Sequence, residues 1–277
     1  MDHLTFTIAC LGVGAVAGFL GGLLGIGGGV VIVPALILMF DSIGLASLGG
    51  PSGNGTMLVA VGTSLASILF TAAAAARAQI RAGMVDWIVV RRWWWGLVLG
   101  SFASSYVAAR LPANVMRMLI AGFLLFVATV MLTSWRPAAH RGLPGPVLSA
   151  VLSSVGGLVS GIAGIGGGNV VVPTLIFHNV PVHRAIGTAS ALGFPIAAAG
   201  SLGYVLRGLG ETRLGDGFLG FLYLPALLAI VVTTVLFAPL GVRTALAIQP
   251  APLRRIFGVI LLALSARMIA SMWGQAA

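Results

Sequence analysis

Two glycine clusters, Gly25-Ile26-Gly27-Gly28-Gly29 and Gly164-Ile165-Gly166-Gly167-Gly168, are the residues of this chain best suited to hold a ligand. Each opens a near-identical decapeptide, GIGGGVVIVP at Gly25–Pro34 and GIGGGNVVVP at Gly164–Pro173. Each follows a long apolar run and breaks it. Glycine lacks a Cβ, so an oxyanion can approach its backbone closely. The residues after each cluster restart a helix, whose first N–H groups and positive dipole end face the break. That arrangement favours an anion. Pro34 and Pro173, five residues into each short helix, remove a hydrogen bond and promote a bend. Asn169 is the one polar side chain in either decapeptide and stands opposite Val30. It could donate an amide hydrogen or serve only the helix start.

A second pair of motifs follows. Val61-Gly62-Thr63-Ser64 matches Ile186-Gly187-Thr188-Ala189-Ser190. The hydroxyls of Thr63, Ser64, Thr188 and Ser190 could donate to an oxyanion. They could equally bond to the carbonyl one turn back.

Other chemistry is sparse. Asp2, Asp41, Asp86, Glu211 and Asp216 are the only carboxylates, and all lie near segment ends. No carboxylate is placed mid-membrane, where ion and proton relays usually have one, so no metal or cofactor is expected. Cys10 is alone and cannot form an internal disulfide. There is no Gly-x-Ser-x-Gly and no His-Glu-x-x-His, and no Lys-Ser/Thr completes a Walker loop after Gly25–Gly29, so no enzyme is indicated. His178 and His183 read as surface residues, and Arg184 as a membrane flank or an anion recruiter.

The elements that must position these residues are membrane helices. Of 277 residues, 59% are hydrophobic and only 7% charged, against about 25% charged in a soluble domain. The formal charge of +10 comes from arginines alone, set singly or in short groups between apolar runs. Such flanks meet lipid phosphates, which excludes a nucleic-acid reading. Apolar runs fall at 4–24, 30–40, 56–76, 87–109 and 114–134, then at 146–163, 169–178, 185–206, 217–238 and 253–273. Gly18-xxx-Gly22 and Gly96-xxx-Gly100 read as helix contact faces. The run at 30–40 rises about 16 Å as a helix, roughly half the hydrocarbon thickness. Each glycine break is therefore read as the tip of a helical hairpin with a short returning leg, a kinked span being the alternative.

The expected fold is an all-α polytopic membrane protein with two internal repeats, at 1–137 and 144–277. It would have about eight full spans plus the half-helices. Residues 45–55 read as a surface loop inserted in the first repeat. If both hairpins return to their starting side, the repeats are inverted. Arg77, Arg81, Arg91, Arg92, Arg136, Arg141, Arg184, Arg243, Arg254 and Arg255 then share one face. Arg110, Arg117, Arg207, Arg213 and Arg267 share the other. The two-to-one bias makes the first face cytoplasmic. Breaks at matched points of two repeats are the sequence pointer to a binding site in secondary transporters.

The doubled Gly-x-Gly-Gly-Gly-x-x-x-x-Pro, the Gly-Thr motif after each copy and the ending FLYLPALLAIVVTTVLFAPLGVRTAL…LRRIFGVILL resemble the TauE/SafE sulfite exporter (TSUP) family over essentially the whole chain. The resemblance implies a bacterial inner-membrane permease or exporter for sulfite, thiosulfate, organosulfonate or a related small oxyanion. Its motif positions here are Gly25, Gly27, Gly28, Gly29 and Pro34, and Gly164, Gly166, Gly167, Gly168 and Pro173. The expected partners are that anion and the lipid bilayer. Uptake, a channel or permease for another anion, a membrane-embedded enzyme and a scaffold are the alternatives.

Overall fold

The computed structural model describes residues 3–25, 27–42, 54–133, 144–210, 217–247 and 251–273. Residues 45–53 of the loop expected at 45–55, Arg136, Arg141, Glu211, Arg213 and Asp216 lie outside them. The last two residues of that expected surface loop are instead buried, Gly55 starting the helix Gly55–Arg81 and Asn54 donating to the carbonyls of Ala108 (2.9 Å) and Leu111 (2.7 Å). The described chain is almost entirely helical. α1 (His3–Leu24) and α2 (Gly29–Ser42) flank the first glycine cluster. α3 (Gly55–Arg81), α4 (Trp87–Arg110) and α5 (Ala113–Leu132) follow. α6 (Pro146–Ala163) and α7 (Gly168–Phe177) flank the second cluster. α8 (Val182–Gly208), α9 (Leu224–Ala247) and α10 (Ala251–Trp273) complete the order. Among the described residues, α1, α3, α5, α6, α8 and α9 are long and apolar enough to cross a membrane. α4 matches them in length but carries Arg91, Arg92 and Arg110. α2 and α7 are apolar and too short.

The helix ends follow local chemistry. Asp86 caps α4, its carboxylate accepting from the N–H groups of Ile88 (3.0 Å) and Val89 (3.3 Å). α6 stops at Gly164, which is left-handed (φ 67°). Ile165 N–H then reaches the Ser160 carbonyl (2.9 Å) and Gly164 N–H the Gly161 carbonyl (3.3 Å), closing a Schellman cap.

The expected apolar run at 217–238 is corrected in one respect. Its first residues form a hairpin, β1 (Phe218–Leu219) paired antiparallel with β2 (Leu222–Tyr223), and the helix starts only at Leu224. Gly217 (φ 88°) and Gly220 (φ 55°) hold turns that interrupt a helix. The hairpin is wedged among helices, which supply its backbone partners as an apolar setting requires. Phe221 N–H donates to the Tyr204 carbonyl (3.3 Å) and Tyr223 N–H to Thr63 Oγ1 (2.9 Å).

Packing crosses the midpoint of the chain. Gly14, Gly18 and Gly22 of α1 lie against Ile230, Thr234 and Ala238 of α9, so these two helices run parallel. Gly96 and Gly100 of α4 lie against Ser153 and Ser154 of α6, and Gly161 of α6 against Ser104 of α4, again parallel. A Cβ at Gly18 would sit 2.6 Å from Thr234 Cα. The predicted small-residue faces thus let backbones meet where a larger side chain could not. α3 and α8 cross the centre antiparallel, with Gly193 beside Ala72 and Gly200 beside Leu65. α5 pairs with α10 through Leu132 and Gly258.

Candidate functional site

The two glycine breaks meet at the middle of α3. A Cβ on Gly27 would come within 3.4 Å of Gly166 Cα, and one on Gly29 within 2.9 Å of Ile165 Cα. Gly27 also faces the Ile68 side chain. Gly25, Gly27, Gly166, Gly168 and Ser190 line a cleft of about 10 Å³ between them, with Gly21, Ala72, Ala75, Ala189 and Gly193. One water needs about 10–15 Å³, so the cleft is closed against any larger guest. The lining is glycine and alanine save for Ser190, whose hydroxyl donates to the Ile186 carbonyl one turn back (3.0 Å).

Both short helices start from this cleft. In α2 the N–H groups of Val31 and Ile32 bond to the Gly28 carbonyl (3.0 and 3.2 Å). In α7 those of Val170 and Val171 bond to the Gly167 carbonyl (3.1 and 2.8 Å). The N–H groups ahead of these bonds have no intrahelical acceptor. The two breaks are built differently. Gly25, Gly27 and Gly28 all have positive φ (68°, 75° and 76°), whereas the second cluster uses only Gly164. Pro34 and Pro173 lie inside their helices, away from the cleft lining. Each leaves the carbonyl four residues earlier, on Val30 and Asn169, without a helical donor.

Asn169 is 2% exposed, and neither its amide nitrogen nor its amide oxygen has a hydrogen-bond partner. An unpaired buried amide costs about 1–3 kcal/mol. It stands at the start of α7, immediately after the cleft residue Gly168. Its counterpart Val30 is buried and apolar.

The threonine motifs act as clips. Thr63 Oγ1 accepts from Tyr223 N–H (2.9 Å), and Thr188 Oγ1 accepts from Asp86 N–H (2.9 Å). The glycine before each threonine makes room for a carbonyl two residues before that donor: Gly62 faces Phe221, and Gly187 faces Met84. Each clip therefore fastens the segment leading into α9 or α4. Ser64 donates to the Gly164 carbonyl (2.8 Å), tying α3 to the second break. At the matching place Ala189 carries no hydroxyl. The structure thus gathers Gly25, Gly27, Gly166, Gly168 and Ser190 at the cleft. It places Gly28, Gly29, Gly164, Gly167, Ser64 and Asn169 in the surrounding backbone. Thr63 and Thr188 are engaged elsewhere. Gly21, Ala72, Ala75, Ala189 and Gly193 of the lining are not among the expected site residues. Their only sequence signal, beyond Ala189's place in the second Gly-Thr motif, is small size inside an apolar run, which is common to every helix contact here.

Broken helices that meet inside a bundle of membrane-length helices define a multi-pass membrane protein with a central cleft lined mostly by glycine and alanine. The chain belongs to the family described as "Sulfite exporter TauE/SafE", which matches residues 10–268. It is 31% identical over 265 residues to a Haemophilus influenzae protein named "Probable membrane transporter protein", covering 95% of this chain and 98% of that one. It is 27% identical over 251 residues to a similarly named protein of Methanocaldococcus jannaschii, covering 90% of each. A Bacillus subtilis relative of the same description is 28% identical over 215 residues. No solved structure matches the chain significantly. Family and relatives make this protein a membrane transporter.

Proposed function

We propose that the protein is a bacterial inner-membrane secondary transporter for sulfite, an organosulfonate or a related small sulfur oxyanion, with the glycine cleft as its binding site. The observation that carries this reading is the meeting of the two breaks, with α2 and α7 starting from the same small space. Opening the cleft would turn the first N–H groups of both helices toward a negatively charged guest. Asn169, buried and unpaired beside it, would add an amide donor.

Two further features support a transport cycle. α3 and α8, which carry the matching Gly-Thr motifs, run antiparallel. This is the relation expected of inverted repeats at 1–137 and 144–277 in a bundle of about eight full spans plus two short half-helices. The repeats would interleave, because α1 packs on α9 and α6 on α4. The moving bodies would then be α1 with α9 and α4 with α6, rather than the two halves of the sequence. Each clip would couple one such body to the central helices.

Flux of labelled sulfite into proteoliposomes tests the proposal, with sulfate and taurine as competitors. Sulfite flux above that of empty vesicles, competed by one of the two, supports it. Equal flux in empty and loaded vesicles overturns the substrate. Asn169→Leu tests the site. It removes an unpaired amide, so thermal stability should hold or rise by about 1 kcal/mol while sulfite flux falls at least tenfold. Unchanged flux would remove Asn169 from the site.

A further inference from the structure

Two open cavities flank the last turns of α3, away from the glycine cleft. One, of about 740 Å³, lies between α3 and α9. Its walls include Phe70, Val235, Val242 and Leu246, and its rim carries Arg77, Arg81 and Arg243. The other, of about 480 Å³, lies between α3, α4 and α8, with Ile80, Trp87, Val90 and Phe194 in its walls. Both share Ala73, Arg77 and Arg81, one ridge of α3 at four-residue spacing. All three arginines are exposed, and none forms a hydrogen bond or ion pair with another described residue.

The dimensions point to one kind of occupant. From Phe70 to Arg81 the groove descends α3 by about 16 Å, roughly half of the 30 Å hydrocarbon core. That is the depth of a single leaflet. α3 and α9 run parallel here: Gly62 lies by Phe221, and Arg81 shares the cavity with Arg243. The charges therefore collect at one end and the apolar walls reach inward. A free oxyanion would use the arginines and leave both apolar troughs empty. A diacyl phospholipid would use all of it, one chain on each side of the Ala73–Arg77–Arg81 ridge and its phosphate between the guanidinium groups. Basic pockets between membrane helices hold anionic headgroups in this way.

We propose that Arg77, Arg81 and Arg243, with the paired grooves beside α3, form a binding site for one anionic phospholipid. The site is independent of the transported substrate. The test uses purified full-length protein in mild detergent, with bound lipid counted by native mass spectrometry. Phosphatidylglycerol and phosphatidylcholine of identical chains are compared, and sodium phosphate and sodium sulfite serve as soluble competitors. Phosphatidylglycerol should be retained about tenfold better than phosphatidylcholine. Neither salt should displace it at matched ionic strength. The double variant Arg77→Gln/Arg243→Gln should erase the preference, and Ala74→Phe, which fills one trough, should reduce retention of both lipids. Equal retention of the two lipids by the wild-type protein overturns the proposal, without need of any variant. So does displacement by phosphate or sulfite alone, which would make the arginines a small-anion vestibule.

Discussion

Thr63 and Thr188 accept hydrogen bonds from main-chain N–H groups of Tyr223 and Asp86, each 2.9 Å away and far along the chain. Removing either hydroxyl leaves a donor unpaired in an apolar setting. Thr63→Val and Thr188→Val should therefore each lower stability by about 1–3 kcal/mol, read as a lower unfolding temperature in detergent. Flux per folded molecule should fall less than in Asn169→Leu. Residues that contacted cargo directly would show the opposite pattern, with flux lost at unchanged stability. The sequence marked these threonines as important through their repetition. It could not tell a ligand from a clip, because a hydroxyl inside an apolar bundle serves either purpose. Asn169 shows the reverse. One amide in an apolar decapeptide was visible at once, but only coordinates reveal that it has no partner.

The paired helix breaks look alike in sequence and differ in construction. Gly28 sits at φ 76°, and a Cβ there would approach the Ala17 carbonyl to 2.5 Å. Gly167 has an ordinary helical φ of −51°, and its Cβ would meet only the flexible end of Ile196. Gly28→Ala should therefore cost at least about 1–2 kcal/mol and reduce the yield of folded protein. Gly167→Ala should fold nearly as well as the parent, with melting curves of the pair as the measurement. Hydropathy located nine of the ten described helices to within about five residues, since long apolar runs bounded by Pro, Gly and Arg leave few choices. It placed the run for α9 at 217–238, whereas that helix spans Leu224–Ala247. It missed the hairpin at Phe218–Tyr223 for the same reason. A short apolar stretch scores alike as strand or helix, and only the left-handed turns at Gly217 and Gly220 separate the two.

For the whole molecule, the arginine bias gives the expected orientation. The ends of α3 and α9 share one side, and Arg81 and Arg243 stand there together. If that side is cytoplasmic, single cysteines in a Cys10→Ala background settle the topology. Ala82→Cys should react with a membrane-impermeant maleimide only after cells are opened. Asn114→Cys, at the start of α5, should react in intact cells. The same reactivity at both positions would refute α4 as a full span. The same reactivity at Ala82→Cys and Leu209→Cys, which follow the matching ends of α3 and α8, would refute the inverted arrangement. Neither composition nor periodicity told which helix packs on which. Small-residue faces occur on α1, α4, α6 and α9 alike, and their pairing is settled by three-dimensional fit.

That pairing has a consequence for how the chain is made. α1 leaves the ribosome well before α9, yet the face carrying Gly14, Gly18 and Gly22 is covered only when α9 arrives. At about 5–20 residues per second, the intervening 200 or so residues take on the order of 10–40 s. Through that interval α1 must sit in lipid with its docking groove bare, or be shielded by the insertion machinery. Nascent chains stalled before α9 should therefore be the form that membrane proteases clear first.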